Sequence, residues 1–263
     1  MADGSTTTPA AARAGRLLWP LAGFALALAL WSLGVAALEA RTPIAAAFAP
    51  LNTLHALREL VTGREIWLHV AVSLKRVGVA LACAIVTGVP LGILAGMSRR
   101  FAQASTPLFQ LLRMVSPLSW MPLAVMVLGV GDAPVYFLLS FAAMWPLMLS
   151  TAAGVAQLDP NWMLLARSLS ATRAETVWRL ILPGITAHIL TGVRLAIGII
   201  WIVLVPAEML GVSAGLGYFI LDTRDRLAYS ELTAAIILIG LLGYALDHLA
   251  RAVHARWLHT APA

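Results

Sequence analysis

The sequence is poor in charged residues, and this shortage excludes most classes of soluble protein. Only 11% of its 263 residues are Asp, Glu, Lys or Arg, whereas 60% are hydrophobic, and the mean hydropathy is +0.87. In a soluble globular domain, about a quarter of the residues are charged. The chain therefore belongs in a lipid bilayer.

Lysine and cysteine each occur once, and their scarcity excludes several further kinds of functional site. The one lysine, Lys75, stands in no Gly-x-x-x-x-Gly-Lys-Ser/Thr loop, so the chain lacks the phosphate cradle of a nucleotide-hydrolysing subunit. The one cysteine, Cys83, excludes an internal disulfide and a cysteine metal site. The apolar stretches hold too few acidic residues for intramembrane catalysis. We therefore expect a non-enzymatic chain with no metal or cofactor of its own.

The net charge of +6 does not indicate a nucleic-acid partner. Clustered lysines interleaved with aromatic residues are missing. The basic residues are arginines that flank apolar stretches, a pattern typical of cytoplasmic retention of membrane-protein loops.

Six apolar stretches predict an all-α polytopic protein with six transmembrane helices, since about 20 helical residues cross the hydrocarbon core. The first stretch carries no charge, and its length favours a retained span over a secretory signal peptide, although Val35-Ala36-Ala37 resembles a cleavage site. The predicted spans are residues 17–38, 77–97, 116–130, 134–158, 185–210 and 232–246.

The distribution of arginine predicts the orientation of these spans. With the N-terminus inside, the cytoplasmic segments collect most of the arginines, and Arg113 is expected near the same face, whereas each outer arginine has an acidic residue nearby. Both termini and residues 159–184 are therefore expected in the cytoplasm. The arginines expected inside are Arg13, Arg16, Arg99, Arg100, Arg167, Arg173, Arg179, Arg251 and Arg256.

Residues 159–184, which we call the coupling segment, predict two short helices. Asp159 is suited to cap a helix over residues 160–169 that starts with proline. Thr172-Arg173-Ala174-Glu175 has the form of a capping box and starts a second helix, which we expect to end near Pro183. The first helix is apolar around most of its circumference, so it requires another surface to cover it.

The coupling segment resembles the signature of permease subunits of ATP-binding-cassette (ABC) importers: Glu-Ala-Ala, three residues, Gly, nine residues, Ile, one residue, Leu-Pro. Ala166 and Leu182-Pro183 match it strictly, Leu164 replaces the glutamate and Ser170 replaces the glycine. Further similarity to the nitrate, sulfonate and taurine branch lies in residues 116–131, 191–210 and 215–220, and the resemblance covers residues 67–250.

The resemblance implies a bacterial inner-membrane permease that pairs with a second copy of itself. Its other partners would be cytoplasmic ABC ATPase subunits, which hold the ATP and Mg, and a periplasmic solute-binding protein. The solute would be a small anion or organic molecule of the nitrate, sulfonate, taurine or bicarbonate type. The ATPase-coupling residues would be Trp162, Leu164, Leu165, Ala166, Arg167, Ser168, Leu169, Ser170 and Arg173.

The departures from the signature change the expected contact. Leu164 offers the ATPase an apolar contact in place of a charge. The glycine usually permits a left-handed turn, which a residue with a side chain disfavours, so Ser170 is an alternative cap for the second helix.

The domain organisation follows from the spans and the resemblance. We expect a cytoplasmic tail over residues 1–16, then a first span with a periplasmic segment over 17–66. The permease core covers 67–250, and a cytoplasmic tail covers 251–263.

Small residues, prolines and charges inside the spans identify further candidates. Gly88, Gly92 and Gly96 share one helix face and favour close packing against another helix, unless their spacing is chance. Prolines beside polar or aromatic residues indicate either a translocation path or ordinary packed kinks. Arg194 either snorkels to the interface or binds an anion. Glu208 is either a gating contact or an interfacial acid. The path candidates are Ser116, Ser119, Trp120, Met144, Trp145 and Glu208.

Two other classes compete with the importer. A secondary transporter would show an acidic or histidine relay and an internal repeat, and neither is evident. A membrane scaffold without transport would explain the spans, but it leaves the apolar helix of the coupling segment unexplained.

Overall fold

The structure is a computed structural model that describes residues 9–260, with side chains described for Trp19 and for residues 21–256. The chain divides into two compact units. The first runs to Thr62 and includes Thr223–Ala235, and the second contains Gly63–Asp222 and the chain from Ile236 onward. Residues 1–8 of the predicted N-terminal tail and residues 261–263 of the C-terminal tail lie outside the described part.

The first unit begins with helix α1 (Pro9–Glu39), followed by a 3-10 helix over Pro43–Phe48 and by α2 (Pro50–Thr62). The uncharged middle of α1 exposes its apolar side chains, as a helix facing lipid does. Within this unit, Ser230 Oγ donates a hydrogen bond to the Ala47 carbonyl (2.8 Å).

The second unit contains the longest run of packed helices. A 3-10 turn over Pro117–Trp120 precedes α5, and a π-helical turn over Thr176–Ile181 precedes α9. The helices that follow α2 are α3 (Glu65–Met97), α4 (Arg99–Met114), α5 (Met121–Leu128), α6 (Asp132–Ala156), α7 (Pro160–Ser168), α8 (Arg173–Glu175), α9 (Leu182–Glu208), α10 (Leu216–Asp225) and α11 (Tyr229–Thr260).

The core of the second unit lies where α6 packs along α3 and α9. Leu138, Leu139 and Leu147 of α6 are fully buried, as are Ile185 and Ile200 of α9. Because these side chains face protein on every side, the middle of α6 is the best-shielded part of the unit.

Three glycines of α3 allow its close approach to α6. A Cβ atom at Gly88 would lie 2.8 Å from the Met144 carbonyl oxygen, and one at Gly92 would lie 2.6 Å from the Met148 carbonyl oxygen. A Cβ at Gly96 would lie 2.5 Å from Val155 Cβ. The structure thus places the small-residue face of α3 directly on the backbone of α6.

The all-α, multi-pass architecture is confirmed, although the number of spans lies between five and six. The described residues contain five helices that are long and apolar enough to cross a membrane, within α1, α3, α6, α8–α9 and α11. Residues 116–130 were expected to form a span of their own, and this is wrong. Prolines at 117 and 122 leave a 3-10 turn and the eight-residue α5, which α4 meets at 89°.

The predicted helix end near Pro183 is also wrong. The chain remains helical from Arg173 to Glu208, because the turn over Thr176–Ile181 widens to a π-helix. There the Leu182 amide donates to the Val177 carbonyl, five residues back. A widened turn shifts the hydrogen-bond register, so Pro183 can stand in the first turn of α9 without breaking the helix.

We predict that Gly92→Ala destabilises the protein by about 1 to 3 kcal/mol, because its methyl group would press against the Met148 carbonyl and the Thr151 side chain and push α3 from α6. Thermal unfolding of the detergent-solubilised protein measures the change. Gly78→Ala is the matched control on the same helix, since a Cβ added there would meet no described atom of another part of the protein within 4 Å. Equal melting temperatures for the two variants would contradict the close packing.

Candidate functional site

A buried ion cluster joins the ends of three long helices of the second unit. Arg76 of α3 contacts Asp132 of α6 (Nη2 to Oδ1, 2.6 Å) and Glu208 of α9 (Nη1 to Oε1, 2.7 Å). The exposed fraction of Arg76 is 2% and that of Glu208 is 0%. Such a buried arginine is tolerated because both carboxylates balance and bind its charge.

Further hydrogen bonds connect the cluster to the loop after α9. The Ser73 hydroxyl lies 2.8 Å from both carboxylate oxygens of Glu208 and accepts a hydrogen bond from the Leu216 amide (2.8 Å). The Gly217 amide donates to Glu208 Oε2 (2.9 Å), and Arg76 donates to the Ala214 carbonyl (2.6 Å). Each charge is thus held by several partners, and the loop at 214–217 is fixed to the helix ends.

Histidine and glycine complete this arrangement. His69 Nδ1 accepts a hydrogen bond from the Gly215 amide (3.1 Å), so the proton of a neutral ring lies on Nε2. Gly215 has a φ of +124°, and a Cβ there would lie 2.5 Å from Arg76 Nη1. Only glycine suits this backbone and this space.

Sequence reasoning found Glu208 and missed the groups that bind it. The predicted second span began at Val77, after the last charge, whereas α3 begins twelve positions earlier in the chain at Glu65. A detectable signal was present, since His69, Ser73 and Arg76 are spaced four and three residues apart and so share one helix face. A polar face that includes an arginine, on a helix that is otherwise apolar, predicts an acidic partner on another helix.

The coupling segment has the two caps that its sequence predicts. Asp159 accepts a hydrogen bond from the Asn161 amide (2.9 Å) at the start of α7. The capping box is complete, with Thr172 and Glu175 each accepting from the other's backbone amide. Ser170 was proposed as an alternative cap, and this is wrong. Its φ of +54° is left-handed, so Ser170 adopts the turn for which the family signature uses glycine.

The apolar surface of α7 is largely uncovered in the chain. Trp162, Leu164, Leu165 and Leu169 are each more than half exposed, and only Ala166 is buried. The remaining coupling candidates, Arg167, Ser168, Ser170 and Arg173, are exposed as well. The second surface that this helix requires is therefore not supplied by the described residues of this chain.

Two cavities lie beside α6. One, of about 720 Å³, lies between α4 and the ends of α3 and α6, and the other, of about 450 Å³, lies between the end of α4, α6 and α9. Trp145 lines both. Each cavity is large enough to hold a small solute.

The path candidates occupy different surroundings. Ser116 and Ser119 are exposed, Met144 is half-buried with its carbonyl against Gly88, and Trp120 packs on Phe141 with ring centres 5.7 Å apart. Glu208 is the candidate whose surroundings fit a translocation path least. Its carboxylate is fully buried in the ion cluster, because Arg76 and Ser73 bind it from α3.

Arg194 is half-exposed and lies 3.5 Å from Asp247 of α11 (Nε to Oδ1). An acidic partner on the neighbouring helix balances its charge within the bundle.

A multi-pass helical bundle with cavities beside its central helix and an uncovered apolar helix between two spans is the architecture of a transporter's membrane subunit. Residues 88–259 match the family described as binding-protein-dependent transport system inner membrane component. The chain belongs to this family, and it is a permease subunit of an ABC importer.

Curated relatives point to the same branch. The chain is 35% identical to the nitrate import permease protein NrtB of Leptolyngbya laminosa, over 74% of this chain and 70% of that protein. It is 31% identical to the bicarbonate transport system permease protein CmpB of Synechococcus elongatus, over 92% and 89%. It is 35% identical to the taurine transport system permease protein TauC of Escherichia coli, over 73% and 70%. The resemblance of the chain to importer permeases of the nitrate, sulfonate and taurine branch is thereby confirmed.

A solved structure shows the same fold. The match to an inward-facing MetNI methionine ABC transporter has a TM-score of 0.60 at 16% identity and covers 78% of this chain and 97% of that one. Membership of the permease family also makes the chain a non-catalytic, multi-pass membrane subunit. The family implies a separate ATPase and a solute-binding protein as partners.

We predict that Glu208→Ala lowers the free energy of unfolding by about 3 to 5 kcal/mol, because it leaves Arg76 with one carboxylate and the Ser73 hydroxyl and Gly217 amide without their acceptor. The measurement is thermal or denaturant unfolding of the purified protein in detergent.

The control for this variant is Asp225→Ala, which removes a salt bridge to Arg224 whose side chains are both more than 60% exposed. It should cost less than about 1 kcal/mol. A Glu208→Ala protein as stable as this control would mean that the ion cluster does not hold the helix ends.

Proposed function

We propose that this permease carries a small oxyanion or a small organic solute with an anionic group, of the nitrate, bicarbonate, taurine or sulfonate type. The relatives named for these solutes support this class. The observation that carries the transport mechanism is the exposed apolar surface of α7, which fits docking of an ATPase subunit.

The coupling contact would be mainly hydrophobic. Leu164 and Leu165 on α7, and Leu169 directly after it, present their side chains to solvent; Asp159 caps the start of α7, and the capping box at Thr172 starts α8. Burial of such side chains stabilises a complex by about 1.5 to 3 kcal/mol for each one that is fully covered. Arg167 and Arg173 are exposed around this surface and would supply its polar rim.

The ion cluster and the coupling segment lie at opposite ends of the same helices. α6 begins at Asp132 in the cluster and ends just before Asp159, and α9 begins within the last residues of the coupling segment and ends at Glu208. The 25 residues of α6 span about 37 Å. With the arginine-rich coupling segment in the cytoplasm, the cluster lies at the periplasmic side of an inner membrane, and both termini are cytoplasmic.

This arrangement suits alternating access by rocking of rigid helices. The cluster fixes α3, α6 and α9 at one end, so a displacement applied to α7 at the other end would move them together. Two copies of the chain would enclose the path between them, and lipid would surround the remaining apolar surface. ATP and Mg would be bound by the ATPase subunits, and this chain would need no cofactor. Membership of the importer family sets aside the secondary transporter and the scaffold.

We predict that Leu165→Asp prevents co-purification of the ATPase subunits and abolishes solute uptake, because it places a charge in the centre of the apolar surface of α7. Co-expression with the ATPase and affinity purification in detergent measure assembly, and uptake by proteoliposomes with the binding protein measures transport.

Asn161→Asp is the matched control, since it adds the same charge to the exposed first turn of α7, where the helix dipole tolerates it. It should retain the ATPase. Full assembly and transport by Leu165→Asp would overturn the assignment of α7 as the coupling surface.

A further inference from the structure

Arg113 lies level with the middle of α6, a helix long and apolar enough to cross a membrane, and at mid-membrane an uncompensated charge is costly. It lines the cavity of about 450 Å³ together with Trp145, Pro146 and Ser150 of α6. Trp145 and Pro146 lie close to the middle of α6, which runs from Asp132 to Ala156. Arg113 was expected near the cytoplasmic face, and the structure instead sets it beside the midpoint of a spanning helix.

No described carboxylate of this chain neutralises Arg113. Its guanidinium forms no hydrogen bond or ion pair with any residue that the structure describes, and it is exposed in the chain. Two other arginines within the bundle have carboxylates: Arg76 contacts Asp132 and Glu208, and Arg194 lies beside Asp247. A charge left unpaired at this depth marks a functional site in a membrane protein.

The helix that carries Arg113 has one polar face, and this face borders a cavity. Arg99, Ser105, Thr106, Gln110 and Arg113 line the cavity of about 720 Å³, whereas Leu108 and Leu111 are not among its lining residues and are more than half exposed. A membrane helix keeps a polar face only where protein or water covers it. Water in the cavity beside α4 would cover this polar face.

Trp145 lies at the same level. Its side chain is only 4% exposed, and its indole Nε1 is itself buried, without an acceptor among the described residues. Trp145 and Arg113 line both cavities, and no carboxylate is among the described residues that line them. A cation that borders a cavity without a carboxylate in its described lining suits the binding of an anion.

We propose that Arg113 forms a binding station at mid-membrane for the oxyanion group of the transported solute, with the Trp145 ring as one wall of the site. This rests on the proposed function and adds to it the residue that selects for negative charge. The planar guanidinium can donate two parallel hydrogen bonds to a nitrate, carboxylate or sulfonate group. Because the station lies between α4, α6 and α9, movement of these helices would change its access from one side to the other.

The first experiment tests whether Arg113 faces water in the assembled complex. In a Cys83→Ala background, Arg113→Cys and Leu111→Cys are co-expressed with the ATPase subunits and exposed in membranes to a negatively charged methanethiosulfonate. We expect the thiol at position 113 to react at least tenfold faster than the thiol at position 111, which lies on the other face of α4. Equal, slow labelling would overturn the water-filled cavity and with it the station.

The second experiment tests the charge itself. The complex with its ATPase and binding protein is reconstituted in proteoliposomes, and uptake of labelled nitrate, bicarbonate and taurine is measured per ATP hydrolysed. We expect Arg113→Gln to lower uptake at least tenfold, Arg113→Lys to keep most of it, and Trp145→Phe to lower it severalfold. Arg100→Gln, an exposed arginine of the same helix that lines neither cavity, should match the wild type.

The two proposals fail in different ways. Arg113→Gln that carries the anion at the wild-type rate, with its ATPase subunits bound, overturns the station and leaves the permease function intact. A wild-type complex that carries none of the three solutes overturns the proposed substrate class, and the labelling of position 113 then decides the cavity independently. Loss of ATPase subunits from Arg113→Gln, with none lost from Arg113→Lys, would show a role in assembly and would also overturn the station.

Discussion

The architecture of the second unit depends on one buried cation with two anionic partners. Arg76 contacts both Asp132 at the start of α6 and Glu208 at the end of α9, and it also binds the loop carbonyl of Ala214. Removing a single partner would leave a charge buried without compensation, which costs more than the complete cluster does. The three long helices therefore share a fixed end, and the loop between α9 and α10 is fixed with them.

The close contact of α3 with α6 extends this constraint along the bundle. In lipid the hydrophobic effect does not drive helices together, so their association relies on tight packing and hydrogen bonds. The glycine face from Gly88 to Gly96 brings α3 onto the α6 backbone, while the ion cluster fixes the register at the other end. Both kinds of contact leave little freedom for the two helices to slide past each other, which makes them one rigid element for transport.

The sequence predicted best the features that depend on residues close together in the chain. Long uncharged stretches identified α1, α3, α6, α9 and α11 as spans, and the caps at Asp159 and Thr172 follow from short-range hydrogen bonds. It missed the charge partners of Glu208, which come from another helix. It also missed two irregularities of the backbone, the π-turn before Pro183 and the bend at the proline-containing segment after α4. The predicted second span stops at Arg76 because charges mark the ends of the predicted spans. This criterion fails for an arginine whose charge is balanced by carboxylates of other helices.

Three arginines within the bundle have different surroundings. Arg76 is buried among carboxylates, so it is structural, and Arg194 has one carboxylate at the edge of the bundle. Arg113 has no carboxylate partner among the described residues and borders a cavity instead. A cation that serves a passing anion must not be neutralised by the protein, because a resident carboxylate would compete with the solute. The missing partner of Arg113 is therefore what an anion path requires, and the partners of Arg76 are what a fixed helix end requires.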